Sequence, residues 1–187
     1  MADNNKINLN TLELVAYNEA VEFNAKRNNN FMFNNEGNEM ALIVFRSIFR
    51  NANNTIKIVA NNLNNIVTNH TEYISALESF LLKSNSKLEL LLSEFNKSVD
   101  SGLFEMLNQY KEKVIIKVIK DGRTFKDNKG RIIHFCIADN HMYRLEYDTT
   151  KRMAECNFND VKEYQILDKL FCSVFNNNVW SDNESLA

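Results

Sequence analysis

The stretch RIIHFCIADNHMYRLEYDTTKRMAECNF, residues 131–158, decides how the chain is read. Within it, runs at 131–138, 142–147 and 152–158 alternate between side-chain types and are separated by short polar connections, the period-two mark of strands in an antiparallel meander. In the first run Ile133, Phe135 and Ile137 share one face, and His134, Cys136 and Ala138 share the other. A turn centred near Asn140 sets His134 opposite Glu146, Cys136 opposite Arg144 and Phe135 opposite Leu145. In the third run Ala154, Cys156 and Phe158 are expected on the apolar side, with Glu155 and Asn157 on the other. One face is then apolar, and the other collects His134, Arg144, Glu146, Glu155 and Asn157. A cation, an imidazole, carboxylates and an amide grouped in this way can bind an anion and move a proton. The same alternation also describes the solvated face of a half-wet sheet, and spacing alone leaves both readings open.

Upstream the period changes. Strand-like runs at 56–60, 88–92 and 114–119 are separated by helical patterns at 71–83 and 101–111, an order that implies βαβ crossovers and parallel pairing. Helical spacing also marks 11–27, 39–50 and 160–175, and Phe31-Met32-Phe33 reads as a short strand. The expected fold class is α/β: a mixed, mainly parallel sheet with an antiparallel C-terminal meander, sandwiched by helices. Residues 1–38 are expected to form a helical extension, 39–181 the domain itself, and 182–187 a tail.

With 187 residues, 44% of them hydrophobic and 20 aromatic when Trp, Tyr and Phe are counted together, the chain suits one globular domain. It holds 31 Asn and no Pro, so turns must be made by Asn, Asp, Ser and a few Gly; the clusters at 28–30, 34–35, 61–65 and 176–178 serve as punctuation. Lys plus Arg is 22 against 24 Asp plus Glu, which excludes a global basic field for holding a polyanion. The charge is uneven, however. Residues 111–131 carry eight basic side chains, Lys111, Lys113, Lys117, Lys120, Arg123, Lys126, Lys129 and Arg131, against three acidic ones. This stretch either guides a nucleic acid or phospholipid headgroup toward His134 or is a solvated lysine-rich loop. Three cysteines without CxxC spacing argue against a disulfide framework or structural zinc. His70 and His141 have no ligand-spaced companions, so neither metal nor cofactor is expected. The first ten residues lack a signal-peptide apolar run and no stretch approaches the ~20 apolar residues of a membrane span, so a cytoplasmic protein is expected.

His134-Phe135-Cys136-Ile137-Ala138-Asp139, followed by Ala154-Glu155-Cys156-Asn157, resembles the phospholipase D superfamily signature, HxKxxxxD followed by a GSxN-like strand. The order of elements is similar too: a βαβα region, a strand bearing the His, a neighbouring strand, a strand bearing the Asn, and a helix ending near an aromatic, here Trp180. The resemblance covers most of 39–181. It implies a nucleophilic His134, phosphate held by Asn157, and a second motif copy supplied by a repeat or a homodimer partner. The sequence departs from the pattern at three places: the Lys position is Cys136, the Asp position falls at His141, and Ala154-Glu155 stand for Gly-Ser. Arg144, expected across from Cys136, is the candidate replacement for the missing Lys, with Glu146 as the acid beside His134. The resemblance thus implies a degenerate module that binds a phosphate-containing ligand or nucleic acid, or serves as an interaction module. The alternatives are a homodimeric phosphodiesterase or nuclease using His134, and a structural subunit of a multi-protein system. These differ in what Arg144 does: an enzyme needs it to reach phosphate, whereas a structural module would lock it against Glu146 and Glu155.

Overall fold

Seven strands pair in the order β1-β7-β6-β5-β2-β3-β4 in the computed structural model, which describes residues 11–95, 102–119 and 124–176. Along the chain the elements are α1 (Thr11–Lys26), β1 (Phe33–Asn35), α2 (Gly37–Asn51), β2 (Thr55–Ala60), α3 (Thr71–Leu81), β3 (Lys87–Leu92), α4 (Gly102–Gln109), β4 (Val114–Val118), β5 (His134–Ala138), β6 (Met142–Asp148), β7 (Met153–Asn157) and α5 (Val161–Phe175). Every helix and strand expected from periodicity is present, with the first strand displaced toward Asn35.

The sheet is mixed, as expected, but only β2–β3 and β3–β4 pair in parallel; β5 on β2, β6 on β5, β7 on β6 and β1 on β7 are antiparallel. Parallel neighbours need a crossover helix, and the chain supplies those only through α3 and α4. Residues 33–35, read from sequence as part of an extension, are the edge strand on β7.

Both faces of the sheet are covered. Residues of α1 to α4 pack on one side with Ile56, Ile58, Leu88, Leu90, Cys136, Ala138 and Cys156, while α5 packs on the other with Val59, Leu91, Phe135, Ile137 and Tyr143. The His134 side is therefore a helix-covered layer rather than the wet face of a meander. The runs VIIKV and LELLL place Ile115 and Leu91 on the parity opposite to Val114, Ile116, Leu88 and Leu90, so apolar side chains on both faces require this double cover.

Local chemistry fixes the ends. Asp160 caps α5 by accepting from the N–H groups of Lys162 and Glu163, and the His70 Nδ1 accepts from the N–H of Glu72 at the start of α3. The β5–β6 turn holds Asp139 and Asn140 at φ 50° and 67°, the left-handed region these residues tolerate. From that turn the Asp139 carboxylate accepts the N–H groups of Asn53, Asn54 and Thr55 at 2.6, 2.9 and 2.9 Å, pinning the entry to β2 beside β5.

This junction is where the chain order reverses: β3 and β4 lie on one side of β2, and β5 to β7 on the other. In open α/β sheets the crevice at the carboxyl ends of the strands at such a switch point is the usual binding place.

Replacing Asp139 by Ala deprives three main-chain donors of their acceptor. We expect it to lower unfolding free energy by about 1–3 kcal/mol in urea denaturation; an unchanged midpoint would show that the carboxylate does not hold the junction.

Candidate functional site

At the carboxyl end of β2, where β5 begins, the structure has a cleft of about 210 Å³. Its walls include Phe45 from α2, Ile58 to Ala60 from β2, Asn61, Asn62, Leu63, Asn65, Val67 and Thr68 from the loop that follows, His134 from β5, Arg144 and Glu146 from β6, and Thr149 and Arg152 from the β6–β7 turn. The loop is held by its own amides: the Asn65 side chain accepts the N–H groups of Val67 and Thr68, and the Thr68 hydroxyl donates to the Leu63 carbonyl.

The polar residues of the cleft form a chain of hydrogen bonds. The Asn35 amide oxygen accepts from Arg144 Nε at 3.0 Å, Arg144 Nη2 donates to Glu146 Oε1 at 3.0 Å, and Glu146 Oε2 lies 3.1 Å from His134 Nδ1. An ionised carboxylate only accepts, so Nδ1 carries the proton of this contact. With Nδ1 spent on Glu146, Nε2 is the imidazole nitrogen left for a ligand; the side chain is 20% exposed. The Arg144 guanidinium also lies over the Phe45 ring, 4.8 Å from its centroid. Burial pushes the Glu146 carboxyl up, but the His134 hydrogen bond and the Arg144 and Arg152 guanidinium groups outweigh it and bring the value down to about 2.

The β5–β6 register is as the sequence predicts: His134 faces Glu146, Cys136 faces Arg144, and Phe135 faces Leu145. The next pairing departs from expectation. Counting outward from the pair Asp148–Met153 would bring Glu155 and Asn157 to the Arg144 side, but an irregularity between Glu146 and Asp148 shifts the register by one. Arg144 therefore faces Cys156, Glu146 faces Ala154, and Glu155 and Asn157 face Leu145 and Tyr143 on the α5 side. Asn157 does not join His134. Its amide donates to Asn30 and accepts the N–H of Asn159, so it ties a turn instead.

Cys156, expected away from the His134 face, lies on it and donates to the Asn35 amide oxygen at 3.5 Å. Burial pushes both the Cys136 and Cys156 thiols up to about 12, which leaves them protonated packing groups rather than nucleophiles. The sequence reading missed Asn35 and Arg152. Asn35 reads as turn punctuation in an Asn-rich chain, and Arg152 as the first residue of the third strand-like run; neither carries a local signal of the contact that the pairing of β1 with β7 brings to it.

The basic stretch divides. Lys117 donates to the Phe175 carbonyl at 2.8 Å and lies over the Phe175 ring, closing the end of α5 rather than facing solvent as a nucleic-acid contact would. Arg131 pairs with Asp127 at 2.7 Å and lies over Tyr147. Lys126 and Lys129 are exposed. Lys120 and Arg123 lie outside the described residues, as does Trp180. His141 contacts the Asp139 carbonyl. Among the described residues, no group of three or more His, Cys, Asp or Glu is placed to hold a metal ion, and no helix is long and apolar enough to cross a membrane.

Comparison with known proteins gives the class. The fold is phospholipase D-like: the chain is similar to a phospholipase D family member, Nuc from Salmonella typhimurium, with a TM-score of 0.58 at 11% identity over 79% of this chain and 95% of that one. It is also similar to TrmBL2, described as an archaeal chromatin protein that shows a novel mode of DNA binding, with a TM-score of 0.52 at 15% identity, covering 88% of this chain and 61% of that one. No family model matches the sequence, and comparison with curated proteins finds no match.

The depressed Glu146 value makes a pH prediction. A carboxyl whose folded value lies below its usual 4.5 contributes stability that is complete above that pH and is lost as pH falls toward 2. Urea unfolding between pH 5 and 2, on the scale of those two values, should show wild-type stability falling with pH and a flatter profile for Glu146→Gln. That variant should also be less stable at neutral pH by about 3–5 kcal/mol, because Arg144 keeps a buried charge without its counter-ion. Equal slopes in the two proteins would remove Glu146 from this role.

Proposed function

We propose that the His134 cleft recognises a phosphate group and that the protein is a phospholipase D-like binding module with a degenerate active site. The observation that carries this reading is the buried chain from Asn35 through Arg144 and Glu146 to His134, which fixes an imidazole with Nε2 left for a ligand at the switch point of the sheet. Two guanidinium groups against one carboxylate give the cleft a positive balance suited to an oxyanion. The segment from β4 to β5, with Lys126 and Lys129 exposed, joins the same end of the sheet to His134 and suits a phosphate borne on a nucleic acid.

What fills the motif positions supports a binding role over a catalytic one. Cys136, at the lysine position, is wholly buried and supplies no charge to a phosphoryl transition state; Asn157 is on the other face; Arg144 is engaged at both ends. A second reading, a phosphodiesterase working as a homodimer, draws on one observation: a carboxylate on Nδ1 is also how an imidazole nucleophile is oriented.

Titration with a short single-stranded oligonucleotide separates the two. We expect wild type to bind with affinity that falls as salt rises, His134→Ala to bind about tenfold more weakly, and neither to hydrolyse bis(p-nitrophenyl) phosphate above background. Hydrolysis that disappears in His134→Ala would establish the second reading. An oligonucleotide that does not bind, together with inorganic phosphate that does not bind, would overturn the first.

A further inference from the structure

The lysine absent at position 136 leaves open which cation of the cleft meets the ligand, and the two arginines are built differently. Arg144 has 2% of its side chain exposed, hydrogen bonds at 3.0 Å on two sides, and an aromatic ring against its face. Arg152 has 23% of its side chain exposed and stands 3.6 Å from Glu146 Oε1, an ion-pair contact beyond hydrogen-bond length.

The backbone beneath Arg152 is fixed more firmly than that of an ordinary turn residue. Its φ of 56° is a left-handed conformation unfavourable for a long side chain, and its carbonyl is held by the Asn35 amide at 2.8 Å. In the same turn the Asp148 carboxylate accepts the N–H groups of Thr150 and Lys151, and the Lys151 carbonyl accepts the N–H of Gly37. One residue, Asn35, therefore grips both arginines: its oxygen holds the Arg144 side chain and its nitrogen the Arg152 main chain. The main chain that carries Arg152 is thus ordered before binding, and its side chain lines the same cleft as His134.

We infer that Arg152 is the guanidinium that contacts the phosphate group, with Arg144 a positioning residue behind it. The inference rests on the phosphate reading of the cleft. The cleft volume of about 210 Å³ is smaller than the roughly 300–1,000 Å³ of pockets that enclose a drug-sized ligand, so it takes one phosphoryl group with its first substituent. Both a terminal phosphate and a single internal phosphodiester present that chemistry.

The test follows inorganic phosphate binding by calorimetry, together with the arginine Nε–H signals in ¹⁵N-labelled full-length protein. Arg152→Gln should weaken phosphate about tenfold and Arg152→Lys by less, with melting temperatures near wild type, and phosphate should move the Arg152 signal while leaving that of Arg144 in place. Unchanged affinity in Arg152→Gln, or movement of the Arg144 signal instead, overturns the inference while leaving the phosphate reading intact. A wild-type protein that binds neither inorganic phosphate nor the oligonucleotide overturns both; one that binds the oligonucleotide alone, with equal affinity in Arg152→Gln, overturns the inference only. A dinucleotide with a 5′-phosphate that competes better than the same dinucleotide without it identifies a terminal group, and equal competition identifies an internal diester; either supports the assignment if Arg152→Gln abolishes the competition.

Discussion

A guanidinium buried inside an apolar layer must find its counter-charge within reach, and the architecture around the cleft follows from how Arg144 does so. Desolvating such an ion costs several kcal/mol, on the order that one good ion pair and its hydrogen bonds return. Glu146, two residues along the same strand face, supplies the charge; Asn35 supplies a second acceptor from the edge strand; Phe45 supplies a π face from α2. Each partner comes from a different element, so the ion ties β6 to β1 and α2. Glu146 has a second oxygen, and that oxygen orients His134. A structural requirement of the core thus fixes the imidazole of the candidate site.

Topology decides where this polar group can meet solvent. The strands that follow β2 lie to one side of it and the meander lies to the other, so the segments leaving β2 and β6 diverge and leave the cleft between them. The Asn-rich loop 61–70 forms one wall and stays folded through its own side-chain amides, which is the work the absent prolines do in other chains. Asp139 closes the opposite side of the junction from the β5–β6 turn. The phospholipase D-like fold is reached here with a buried thiol, Cys136, in the core of β5 beneath the cleft.

Much of this was legible from residues 131–158 because strand parity and a tight turn at Asn140 together fix a register. The facing pairs His134–Glu146 and Cys136–Arg144 follow from those two features alone. The β6–β7 phase was not legible. It depends on an irregularity between Glu146 and Asp148, and a single residue there exchanges Glu155 and Asn157 for Ala154 and Cys156 on the site face. Asn35 was hidden for a different reason. Its role depends on β1 pairing with β7 across more than half the chain, a contact that no local pattern encodes. The same holds for Lys117, whose position in a basic stretch suggested solvent but whose ammonium meets the last carbonyl of α5. Burial of the His134 face also required knowledge of where α1 to α4 pack, since alternation describes a half-wet sheet equally well.

Glu146 holds His134 by Nδ1, and that contact decides which imidazole nitrogen faces the cleft without a carboxylate. Long-range ¹H–¹⁵N spectroscopy of the imidazole, at a pH where the ring is neutral, reads the tautomer directly. We expect a protonated Nδ1 and an unprotonated Nε2 for His134, with the preference lost in Glu146→Ala. A ring protonated at Nε2, with Nδ1 bare, would place two acceptors against each other at 3.1 Å and contradict the hydrogen-bonded chain on which the site depends.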